Sequence, residues 1–87
     1  MAKKSQSDQF QDPHKAESDK DNSLEVAIGR EVKRFRANLD MTVVELAKLA
    51  DLSAGMLSKI ETGQTSPSLA TIKKVAEALN VPVTSLF

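Results

Sequence analysis

An all-α domain of five helices is predicted by three features of this chain. Apolar residues recur at three- and four-residue steps, start and stop signals cut the chain into short helical segments, and no strand-length alternation is present. With 87 residues, the chain has room for one small domain at most.

Leu24, Ile28, Val32, Phe35 and Leu39 recur at steps of four, four, three and four, which traces one stripe of a first helix. Ser23 is placed to cap its start, and Asn38 and Asp40 mark an end near Leu39. Arg30, Lys33 and Arg34 fall on the other face and read as solvated surface. Thr42-Val43-Val44-Glu45 is a capping box, with a hydroxyl for the third amide and a carboxylate that reaches back. The helix it opens, about 43–50, is expected to bury Leu46 and Ala50, and Ala47 is small enough for another helix to cross closely.

Ser53 caps a third helix over about 54–61, and Gly63 ends it. Ser66-Pro67-Ser68 makes a turn, and Ser68 caps a fourth helix with Leu69, Ile72, Val75, Ala76 and Leu79 as its apolar stripe, ended by Asn80. Pro82 favours the first turn of a short fifth helix.

Residues 1–22 carry only Met1, Ala2, Phe10 and Ala16 as apolar residues, too few to offset chain entropy by burial. They are expected to form a disordered N-terminal tail ahead of a domain over 23–87, with His14 a solvated histidine. The tail holds four lysines and five acids, net −1. The remainder holds eight Lys or Arg and seven acids, net +1, so the whole chain is neutral. A nucleic-acid reading therefore rests on the arrangement of groups and not on total charge. Absent cysteine rules out disulfides and thiolate metal sites and suits a reducing compartment. Apolar runs are too short to cross a membrane, and the N-terminus lacks a signal-peptide core, which points to a cytoplasmic protein. One tail histidine and no glycine-rich phosphate loop offer no catalytic constellation, metal site or cofactor site.

On the 54–61 helix, Leu57 and Ile60 point inward and Ala54, Gly55, Ser58, Lys59 and then Thr62 point outward, with Met56 at the margin as packing. Two short helices joined by Ala50-Asp51-Leu52-Ser53 and closed by a glycine make a helix-turn-helix over about 43–62. The DNA major groove is about 12 Å wide, close to the thickness of an α-helix, so a helix with a bare outer face sits deep in it. Ala54 suits contact with a thymine methyl, Gly55 suits close backbone approach, and Lys59 suits a guanine or a phosphate.

Leu46-Ala47, Leu52-Ser53, Leu57-Ser58-Lys59, Glu61, Gly63, Pro67-Ser68-Leu69 and Ala76 with Leu79 together resemble the lambda-repressor-like, or Xre-type, helix-turn-helix family over roughly residues 28–87. The resemblance implies a five-helix DNA-binding domain and a transcriptional regulator, most simply a repressor, that binds double-stranded operator DNA as a homodimer. It implies base reading by Ala54, Gly55 and Lys59, with Ser53 and Ser58 beside them. It implies phosphate contacts at Thr42 and Val43 and along the stretch from Thr62 to Ser68, through Thr62, Gln64, Thr65 and Ser68. It also pairs Arg36 of the first helix with Glu61. Two positions depart from the family: Val43 stands where glutamine is frequent, and Asp51 where glycine is frequent, adding a negative charge near the DNA-facing side.

Val83, Leu86 and Phe87 are many apolar groups for one short helix, and they are expected to leave a dimer contact exposed. The competing function is a protein-interaction module of the same fold, antitoxin-like or adaptor, which neutral charge favours. A small-molecule-sensing C-terminal domain is a further expectation if the chain is part of a larger regulator.

Overall fold

The structure, a computed structural model, describes residues 13–87, with side chains from Ser23 onward. It consists of α1 (Pro13–Asn38), α2 (Val43–Leu49), α3 (Ala54–Glu61), α4 (Leu69–Leu79) and a C-terminal 3-10 turn (Val83–Leu86). Among the described residues there is no strand, and no helix is long and apolar enough to cross a membrane.

The elements close on themselves in a ring. α1 packs on α3, α3 on α2, α2 on α4, α4 on the 3-10 turn, and the turn returns to α1. At the centre lie Leu46, Leu57 and Leu86, all fully buried, with Val32, Ile60, Val75 and Ala76 around them. Short helices cannot hold themselves in water, so this shared core is what stabilises them.

Each of the four helices ends in the same way. Asp40, Asp51, Gly63 and Asn80 adopt left-handed backbone, with φ of 56°, 59°, 74° and 59°. The next residue then donates back five positions: Met41 N to Arg36 O at 3.2 Å, Leu52 N to Ala47 O at 2.8 Å, Gln64 N to Lys59 O at 2.9 Å and Val81 N to Ala76 O at 3.0 Å. These bonds satisfy carbonyls that a helix end otherwise leaves without partners. Three of the four positions use Asp or Asn, whose short polar side chains tolerate this conformation.

Several expectations are corrected. α1 runs from Pro13 to Asn38, so Ser23 lies inside the helix and is not its cap, and the backbone of segment 13–22 continues that helix. That segment is polar, but it contains no interior proline or glycine, and extending a helix already anchored by packing costs far less than nucleating one. Residues 1–12 of the expected tail, and the side chain of His14, lie outside the described residues.

The fifth helix is a single 3-10 turn opened by Pro82. Its Leu86 has no exposed surface, so it belongs to the intramolecular core and cannot serve a dimer contact, while Phe87 is 62% exposed. Val83 is half-buried and packs on the same core. Leu24, Leu39 and Leu69, expected within apolar stripes, are instead mainly exposed.

Candidate nucleic-acid interface

The caps that orient α2 and α3 are local and explicit. Thr42 Oγ1 accepts from Glu45 N at 3.1 Å, and Thr42 N donates to Glu45 Oε1 at 2.8 Å, closing the capping box. Ser53 Oγ accepts from Met56 N at 3.0 Å, and Ser68 Oγ accepts from Thr71 N at 3.1 Å. A hydroxyl that accepts from an amide still has its own proton to donate. Thr42 and Ser53 therefore hold their helices and keep a donor for a phosphate or a base. Ser68 also shares a hydrogen bond with Thr71 Oγ1 at 3.0 Å.

α3 buries Leu57 and Ile60 against the core, and exposes Ser53, Gly55, Ser58 and Lys59. A β-carbon built at Gly55 meets nothing within 4 Å, so no internal packing requires glycine there. The position opens onto free space beside α3. Ala54 is half-buried and leans on the core, which makes it a smaller part of the outer face than the residue pattern implies. Met56, assigned to packing from its position, is 42% exposed at the margin of that face. A marginal helical position gives no local signal for which way a long side chain turns.

Beyond α3 the chain is engaged in its own stop. Thr62 Oγ1 donates to Ser58 O at 2.9 Å, and Gln64 Nε2 donates to Thr62 Oγ1 at 2.8 Å. Thr62 is thus spent on the helix end, whereas Gln64 and Ser66 are exposed and Thr65 and Pro67 half-buried. Val43, at the start of α2, is half-buried and packs against the core. At Asp51 the carboxylate lies 3.8 Å from Lys74 Nζ of α4, and both groups are exposed, so the pairing is weak.

Behind α3, Arg36 makes three donations. Nε reaches Glu61 Oε2 at 2.7 Å, Nη2 reaches Glu61 Oε1 at 3.0 Å, and Nη1 reaches Met41 O at 2.7 Å. The two side chains are only 14% and 5% exposed. The hydrogen bond to Glu61 is the main cause holding the Arg36 guanidinium above its ordinary pKa, against the opposing effect of burial. On α1, Arg34 pairs with Glu31 at 2.6 Å and lies 4.7 Å over the Phe35 ring. Part of the positive charge on this helix is therefore already matched.

Residues 32–86 match the family model described as Helix-turn-helix (HTH_3). The chain is 39% identical over 61 residues to the HTH-type transcriptional repressor RghR of Bacillus subtilis, covering 69% of this chain and 45% of that protein. It is 36% identical over 61 residues to the immunity repressor protein of Bacillus phage phi105, covering 70% of this chain and 42% of the repressor. The chain thus spans under half the length of these two relatives. Among solved structures, the restriction-modification controller protein C.AhdI from Aeromonas hydrophila superposes with a TM-score of 0.71 at 30% identity, covering 72% of this chain and 96% of that one. On this match and this architecture, the chain belongs to the helix-turn-helix (HTH_3) family.

Proposed function

We propose that this protein is a sequence-specific DNA-binding transcriptional regulator, acting as a repressor, that inserts α3 into the major groove of operator DNA. The observation that carries the reading is the asymmetry of α3. Its inner side chains are wholly buried, while its outer face is Ser53, Gly55, Ser58 and Lys59, with Gly55 bare for no internal reason. Lys59, Ser53 and Ser58 read base edges, and Met56 and Ala54 supply apolar contact. Thr42, the amides at the start of α2, and the 64–68 turn contact phosphate. The names of RghR and the phage repressor support regulation of transcription as the wider role.

One such helix covers few base pairs, and a two-fold dimer doubles the information, with half-sites about 34 Å apart. In this reading the dimer contact centres on Phe87 with Leu24 and Leu69, exposed residues that line one apolar groove of about 320 Å³.

A mobility-shift titration at two salt concentrations tests the function. Phosphate contacts release counterions, so affinity for duplex DNA falls steeply as salt rises. The second reading, a protein-interaction module, draws on neutral charge and on exposed Leu39, Val44 and Leu49. It predicts weak or no duplex binding at either salt concentration.

A further inference from the structure

We infer that Gly29 is a positioning residue for DNA recognition, because it lets α1 seat directly on the exit of α3. The inference rests on α3 being the reading helix. A β-carbon built at Gly29 collides with the carbonyl oxygen of Ile60 and lies 2.7 Å from that of Glu61. Those obstacles are backbone atoms, which no rotamer change can move aside. Gly29 sits mid-helix, where glycine is a poorer helix former than alanine, so local propensity argues against it and close approach is its reason.

The contact is reciprocal. A β-carbon at Gly63, whose φ is +74°, would lie 2.7 Å from Val26 Cγ2 and 3.0 Å from Val26 Cα. Each helix therefore lends the other a bare backbone: α1 receives Ile60 and Glu61 at Gly29, and α3's exit receives Val26 at Gly63. Further along α1, Arg36 grips the Glu61 carboxylate. Three points on α1 converge on residues 60–63, the four residues that follow Lys59 and lead into the phosphate-facing turn. The seat therefore fixes the exit of α3, and the turn that follows it, against α1.

Gly29→Ala tests this in the full chain, on the duplex that the unaltered protein selects from a random pool. The control is Val75→Ala, which opens a cavity at a fully buried position of α4. At a temperature where circular dichroism shows both variants folded, Gly29→Ala is expected to lose at least tenfold in affinity and to shift the amide NMR signals of residues 58–65. Val75→Ala, with an equal or larger drop in Tm, is expected to stay within twofold. If Gly29→Ala binds within twofold of the unaltered protein, or its shifted amides are confined to α1, the inference is overturned. Should Gly29→Ala not fold, Val26→Ala decides, since it only removes methyl groups from the Gly63 contact. A loss of threefold or more with shifted amides at 60–64 supports the seat, and unchanged affinity overturns it. The NMR readout needs no DNA, so a protein that binds no duplex would defeat the DNA reading while leaving the seat separately measured.

Discussion

Arg36 and Glu61 stand 25 residues apart in sequence and meet through two hydrogen bonds of 2.7 and 3.0 Å, joining the first helix to the last residue of α3. Because the pair is mostly out of water, either partner left alone is a buried charge without compensation. Glu61→Ala and Arg36→Ala should each cost about 3 kcal/mol, at the low end for breaking a buried pair. The double variant should cost clearly less than the sum, read by denaturant melts of all four proteins. Additive losses would mean that the pair does not act as a unit.

Lys59 is the long cation on the outer face of α3. Lys59→Ala should weaken binding to the preferred duplex by about 1–3 kcal/mol and relax preference at one base pair if it reads a base. An equal loss on all sequences assigns it to phosphate. Unchanged affinity on every duplex removes it from the interface.

Leu86 and Phe87 are neighbours with opposite fates. Leu86→Ala should destabilise the fold by about 2–5 kcal/mol, as for other fully buried leucines. Phe87→Glu should leave stability within about 0.5 kcal/mol, as at an exposed site, and abolish cooperative binding to a two-fold site while half-site binding persists. Cooperativity that survives Phe87→Glu places the dimer contact elsewhere.

Asp51 holds left-handed backbone with φ 59° and pairs only loosely with Lys74. Asp51→Gly should therefore raise stability by up to about 1 kcal/mol, since it removes the steric cost of a β-carbon in that conformation. It should also tighten DNA binding by removing a like charge. A fall in Tm would show that the 3.8 Å pairing outweighs the backbone cost.

What the residues disclosed in advance was what depends on near neighbours. Thr42, Ser53 and Ser68 cap their helices through hydroxyls three residues from the amides they accept, and Gly63 ends α3 with the left-handed turn that glycine favours. The buried Leu46, Leu57, Ile60, Ile72, Val75 and Leu79 follow helical spacing. What stayed hidden depends on contacts made in three dimensions. Gly29 has no side chain to register in any apolar pattern, yet α1 and α3 approach there so closely that a β-carbon would strike the backbone of Ile60 and Glu61. The last turn ends at Leu86, and only the packing of that turn on α1 and α4 separates the buried Leu86 from the exposed Phe87. The early start of α1 was masked because a polar helix has no apolar phase to detect. Of the proposed interface, the exposed face of α3 was legible except for the exposure of Met56 and the inward lean of Ala54.

The central claim is that the outer face of α3 reads duplex DNA. It is tested most directly by selecting bound duplexes from a random pool, in parallel for the unaltered protein and for Lys59→Ala. The expected result is one enriched motif with two-fold symmetry and half-sites about one helical turn apart. In the variant, preference should be lost at the same position of each half-site, with the rest of the motif kept. A pool that shows no enriched motif contradicts the account, and a motif identical for both proteins moves Lys59 from base to phosphate.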